Sequence, residues 1–307
     1  MRKEKKQQQR VETRGIQGYH ACADYSQNYA TQGFATEFKC FASDRPTAAD
    51  GTKKTFGLEI EMESGQTNRD TLAFLVEYGV YPLFPNGLMK QQRDGSLRGN
   101  TSTEIITQPM TKAFIRNQYN AFKAMWLFLK QHDTMPGASC GMHTNVSMVC
   151  FGKTREAQEK AIMRLHNYFA NHYETACALV KRDTRCTGYC GRMRANYLDR
   201  RGSHCDMMNY SHMDESNGAA RVEIRLVGPQ RTFASFRNTL ETIFHLVEAA
   251  KDGRDFENVR ALWRGCNECV MQRLSDLVSL GLMDMDDYNY IKSTSIDSGI
   301  KAATSDR

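Results

Sequence analysis

Three short stretches of this chain alternate apolar and polar side chains with a period of two, the pattern of a strand packed on one face. In FGLEIEM, Phe56, Leu58, Ile60 and Met62 point one way and Glu59 and Glu61 the other, because successive strand side chains face opposite sides. In CGMHTNVSM, His143, Asn145 and Ser147 alternate with Met142, Thr144, Val146 and Met148. In RVEIRLV, Arg221, Glu223 and Arg225 alternate with Val222, Ile224 and Leu226. The repeated design predicts one sheet with a packed apolar face and a functional face bearing acids, an imidazole and guanidinium groups.

The remaining periodicity is mostly helical. Apolar residues at three- and four-residue spacing predict helices over 70–78, 112–131, 155–181, 232–250 and 257–280. Strands are expected over 90–97 and 102–107, around the turn-prone RGNT, and over 204–210. Strands interleaved with long helices predict an α+β fold, a largely antiparallel sheet backed by helices. The organisation read from the chain is a basic, irregular extension over 1–52, a catalytic domain over 53–252, and a C-terminal helix with a polar tail over 253–307.

Length and composition narrow the class. The 307 residues suffice to bury a substantial core. No stretch approaches the ~18 apolar residues of a membrane span. The basic amino terminus runs into QQQRVETR rather than an apolar segment, so no secretory signal is expected and the default is a cytoplasmic protein. The ten cysteines follow no regular framework and are expected as reduced thiols. Cys186, Cys190, His204 and Cys205 offer four zinc-type ligands. However, adjacent His204 and Cys205 would point to opposite sides of a strand, which suits tetrahedral zinc poorly. The net charge of +6 is concentrated in residues 1–10 and 181–201, and the rest of the chain is slightly acidic. General nucleic-acid binding is therefore not expected.

The polar face has its own chemistry. Carboxylates with one imidazole suit a hard divalent cation, above all Mg²⁺ shared with substrate phosphates. Neighbouring arginines suit the phosphate oxygens themselves. There is neither a GxxxxGK[ST] loop nor a GxGxxG turn, so any ATP site would be built on an open sheet.

These motifs carry a resemblance. FGLEIEME resembles the Glu-x-Glu strand of glutamine synthetase, CGMHTNVSM its Gly-x-x-His-Thr-Asn-x-Ser strand, and ARVEIRLVGP its Arg-x-Glu-x-Arg strand. DGSL and TEIITQP fall between the first two motifs and DMMNYS before the third, a layout similar to the amidoligase family of carboxylate-amine ligases. The resemblance covers roughly residues 55–230. It implies a glutamine synthetase-like fold, with ATP and Mg²⁺ or Mn²⁺ as cofactors and a carboxylate and an amine as substrates. Glu59, Glu61, His143 and Glu223 would bind metal, with Glu59, Glu104 and Arg225 catalytic. Arg221, Arg225, Asn145 and Ser147 would bind the nucleotide. Asp94, Ser96 and Asn209 would shape the substrate side. The basic segment 181–201 is a candidate lid or a plain connector.

The implied activity is formation of an amide through an acyl phosphate, on a small molecule or a peptide, in a bacterial or virus-infected cell. Two other readings stay open. A phosphotransferase acting on a guanidino group would give no amide product, and a degenerate scaffold of the same fold would bind no nucleotide. Homo-oligomerisation is also open.

Overall fold

A computed structural model of the chain describes residues 39–41, 46–48, 52–65, 69–85, 88–92, 97, 102–183, 188, 190–198, 205–215 and 219–254. The described residues form two compact units. Those of Met1–Ser147 with His212–Ile224 make one, and those of Met148–Ser211 with Arg225–Arg307 make the other. The helix expected over 257–280 and most of the 1–52 extension lie outside the described residues. No helix among the described residues is long and apolar enough to cross a membrane.

The first unit is an open, largely antiparallel sheet with helices, an α+β arrangement. Its strands are β1 (Lys39–Phe41), β2 (Pro46–Ala48), β3 (Thr55–Ser64), β4 (Met89–Gln92), β5 (Thr103–Thr107), β6 (Met110–Thr111), β7 (Thr134–Met135) and β8 (Met142–Ser147). A later strand, β10 (Arg221–Ile224), completes it. β3 is the hub, with β5 and β6 along one edge and β8 along the other, all antiparallel. β10 continues outward from β8 and β4 from β5, and β1 meets β6 in parallel.

A bulge separates β5 from β6. Glu59 stands opposite Ile106 and Phe56 opposite Met110, so Thr107, Gln108 and Pro109 face only Gly57 and Leu58. Pro109 has no N–H to give the ladder. The Leu58 N–H instead donates to Thr107 Oγ1 at 2.9 Å.

The hub strand is buried on both faces, from Thr55 through Met62. The polar face is thus as enclosed as the apolar one.

The helices of this unit are less regular than their periodicity predicts. α1 (Arg69–Leu75) widens into a π turn over Val76–Val80. The single helix expected over 112–131 is two, α2 (Lys112–Asn117) and α3 (Tyr119–Gln131), broken where Gln118 takes φ −91° and ψ 5°. α3 buries Phe122, Met125, Trp126 and Leu129, one stripe at helical spacing.

In the second unit the helix expected over 155–181 is also two, α4 (Arg155–Asn171) and α5 (Tyr173–Leu179), divided at His172. The strand expected over 204–210 is only β9 (Met208–Asn209). α6 (Phe233–Asp252) starts on Thr232, whose Oγ1 accepts the Ser235 N–H at 3.0 Å. It ends on Gly253 at φ 65°, the left-handed stop glycine adopts at least cost. Arg164 of α4 donates to the Ala250 carbonyl at 2.9 Å, placing a cation at the negative end of α6. The described part of the candidate lid is held along α4. Arg192 donates to the Ala170 carbonyl at 2.7 Å, and the Asn196 N–H to Asn167 Oδ1 at 2.7 Å.

Candidate metal centre

Strand register assembles the site. Directly opposed residues of an antiparallel pair share a face. Glu59 on β3 faces His143 on β8 and Ile106 on β5, and Glu61 faces Glu104. Glu223 on β10 faces Asn145. Alternation within each strand brings Glu59, Glu61, Glu104, His143, Asn145, Arg221 and Glu223 to one surface. None of the four carboxylates is more than 5% exposed.

His143 is the centre of the cluster. Its Nδ1 lies 3.2 Å from Glu59 Oε2 and 3.4 Å from Glu223 Oε1, and its Nε2 lies 3.4 Å from Glu61 Oε1. Two groups of potential ligands result, Glu59 with His143 and Glu223, and Glu61 with Glu104 and His143. Within each, the ligand atoms lie within 4.8 Å of one another. A neutral imidazole offers one lone pair, so His143 completes only one group at a time. Nδ1, with two carboxylates beside it, is the better placed ligand atom. Nε2–H is then available to Glu61, the carboxylate–histidine arrangement that fixes a tautomer.

The donor set fits a hard or borderline divalent cation, with carboxylate oxygens in the majority and one nitrogen. Burial strengthens the case. Four carboxylates withdrawn from water carry a large desolvation cost, which a bound cation would offset.

Around the ligands, backbone and side chains limit movement. The Gly141 N–H donates to Glu61 Oε2 at 2.5 Å. Asn145 Nδ2 donates to Glu59 Oε1 at 2.7 Å, and Arg221 Nε to Asn145 Oδ1 at 3.0 Å. Ser147 is committed to the sheet, its Oγ accepting the Thr55 N–H at 2.9 Å.

Asp94 and Ser96 fall outside the described residues. Asn209 and Arg225 belong to the second unit. Asn209 Oδ1 accepts from both the N–H and the hydroxyl of Ser211, at 3.1 and 2.9 Å, closing a local turn. Arg225 is buried, and its backbone N–H donates to the Met207 carbonyl at 3.0 Å. Of the zinc-type ligands, Cys186 and His204 are outside the described residues, Cys190 is buried and Cys205 exposed.

Sequence reasoning passed over three residues of the first unit. Lys90 on β4 is completely buried and faces Ile106, itself opposite Glu59, so it belongs to the same surface. The strand prediction over 90–97 contained it, but its face needed the register. Glu215 and His212 lie in the turn before β10, where Glu215 Oε2 accepts from Arg221 Nη1 at 2.6 Å. No periodic signal marks either.

No family model matches the chain, and no curated protein matches it. Among solved structures, the chain is similar to the glutamine synthetase of Plasmodium falciparum determined by cryo-EM, at 10% sequence identity and a TM-score of 0.43. That alignment covers 76% of this chain and 55% of the other, so the chain spans little more than half the length of this distant structural neighbour.

Proposed function

We propose that this protein is an ATP-dependent carboxylate-amine ligase that forms an amide through an acyl phosphate. The observation that carries the reading is the buried cluster of four strand-borne carboxylates around His143. The order of the three strand motifs, which resembles that of amidoligases, supports it.

In this reading Glu59, Glu223 and His143 Nδ1 hold one divalent cation, Mg²⁺ or Mn²⁺, and Glu61 and Glu104 hold a second. Such cations neutralise phosphate oxygens and make the γ-phosphorus a better electrophile. Without them, four carboxylates would repel both ATP and a carboxylate substrate. An oxygen of the substrate carboxylate attacks the γ-phosphorus, and the bond to ADP breaks. The amine nitrogen then attacks the acyl carbon, and inorganic phosphate leaves, taking up the proton that the nitrogen gives up. Enclosure of the ligand face favours the amine over water in the second step. Arg225 is assigned to the phosphates, and Asp94, Ser96 and Asn209 to the substrate side.

The test is calorimetric titration of Mg·ATP into the parent and into Glu59→Ala, Glu223→Ala and Arg225→Ala, with folding checked by circular dichroism. Saturable binding by the parent is expected, weakened about tenfold or more in folded Glu59→Ala and Glu223→Ala, as for the loss of a metal ligand, and weakened in Arg225→Ala by the loss of a phosphate contact. No binding by the parent at millimolar Mg·ATP overturns the ligase reading in favour of a scaffold. ADP release with a phosphorylated guanidine and no amide overturns it in favour of a phosphotransferase.

A further inference from the structure

A continuous chain of side-chain hydrogen bonds runs from the partly exposed turn before β10 to the buried carboxylate cluster. His212 Nδ1 is hydrogen-bonded to Glu215 Oε1. Glu215 Oε2 accepts from Arg221 Nη1 at 2.6 Å, and Arg221 Nη1 also donates to the Ala219 carbonyl at 3.0 Å. Arg221 Nε donates to Asn145 Oδ1 at 3.0 Å, and Asn145 Nδ2 to Glu59 Oε1 at 2.7 Å. The outer end is accessible, with the Glu215 side chain 27% exposed, whereas Arg221, Asn145 and Glu59 are buried.

The ends of an amide are nearly equal in size, so its partners decide which way it points. A guanidinium can only donate and a carboxylate only accept. Asn145 therefore makes both bonds in one orientation, oxygen to Arg221 and nitrogen to Glu59. That orientation occupies Glu59 Oε1 and leaves Oε2, beside His143 Nδ1, as the oxygen directed at the ligand cluster.

The orientation depends in turn on Arg221 staying where it is. Arg221 and Glu223 are two residues apart on one strand and share its polar face.

We infer that Glu215 is a positioning residue for the candidate metal centre: through Arg221 and Asn145 it fixes which oxygen of Glu59 is presented to the cation. The inference rests on Glu59, His143 and Glu223 being metal ligands. It gives Arg221 an orienting task in place of the phosphate contact expected from the sequence.

Mn²⁺ is titrated calorimetrically into the full chain and into Glu215→Ala and Glu215→Gln. In parallel, the side-chain amide signals of Asn145 are followed by ¹H–¹⁵N NMR without metal, assigned by their loss in Asn145→Asp. Glu215→Ala is expected to weaken Mn²⁺ binding about tenfold and to shift the Asn145 signals, as removal of an orienting partner does. Glu215→Gln is expected to stay within about threefold of the parent with unshifted signals, because its amide oxygen still accepts the guanidinium N–H. Unchanged Asn145 signals in Glu215→Ala overturn the inference, as does parent-like Mn²⁺ binding by that variant. Equal losses in Ala and Gln also overturn it, since they report charge alone. If the parent binds no Mn²⁺, the metal-centre reading fails separately, and the metal-free Asn145 signals still decide whether Glu215 positions the amide.

Discussion

Glu104 stands directly opposite Glu61 on the neighbouring strand, so two carboxylates occupy one cross-strand pair in a buried part of the sheet. Like charges so placed oppose folding. Glu104→Gln should therefore raise the stability of the metal-free protein by about 1 kcal/mol. The same change should reduce the rise in melting temperature on adding Mn²⁺, because a ligand is lost. Thermal melts of both proteins in chelator and in millimolar Mn²⁺ check this. A variant less stable than the parent in chelator would mean that the pair is not repulsive.

Ser147 separates a structural from a nucleotide-binding role. Its hydroxyl accepts the buried Thr55 N–H at the start of the hub strand. Ser147→Ala should cost about 1–3 kcal/mol, the penalty of an orphaned buried donor. Mg·ATP affinity should stay unchanged. Urea denaturation and the same calorimetric titration read the two quantities, and a large affinity loss at little stability cost would support the nucleotide role instead.

His166 sets an acid limit on the second unit. It is completely buried on α4, with Nδ1 2.7 Å from the Tyr210 hydroxyl and Nε2 2.8 Å from the Arg194 carbonyl. Burial lowers its pKa, partly opposed by the Arg194 hydrogen bond. Burial, and then the Asp206 charge, raises that of Tyr210, which keeps its proton. The unfolded chain therefore takes up a proton at this histidine at a higher pH than the folded chain. The stability contribution is complete above the unfolded value of about 6.5 and is lost as pH falls toward the lowered folded value. Urea denaturation from pH 7.5 to 5 should show this decline in the parent and a flatter profile in His166→Gln. Parallel profiles would remove His166 as the cause.

Gly228 is required by close packing within the second unit. Its N–H donates to the Val180 carbonyl at 2.9 Å, and a Cβ placed on it would lie 2.0 Å from the Lys181 carbonyl oxygen. Because the obstacle is backbone, Gly228→Ala should destabilise by about 1–3 kcal/mol or more, as overpacking does. A lowered denaturant midpoint with an unchanged slope would confirm it. A parent-like midpoint would show that the Lys181 backbone yields.

Strand identity was legible because alternation is a local property. Glu59 and Glu61, His143 and Asn145, and Arg221 and Glu223 each declared a shared face within a few residues of chain. Helix content was legible for the same reason, but helix continuity was not. Gln118 and His172 have ordinary helical neighbours, and the segment after each break buries apolar residues of its own, α3 Phe122 and Trp126, α5 Ala176 and Cys177. Periodicity survives such a break.

Register belongs to the tertiary structure alone. Nothing local says that Glu59 faces His143 rather than Asn145, yet a slip of β3 by one residue would send Glu59 and Glu61 to the other side of the sheet. The burial of Lys90, the pairing of Glu61 with Glu104, and the reach of Glu215 through Arg221 to Asn145 all follow from that register and from a turn with no periodic signal. The amino-acid order thus determined which side chains share a face and what chemistry they can support. Only the folded sheet decided which of them meet, because contact between distant residues depends on strand pairing and burial.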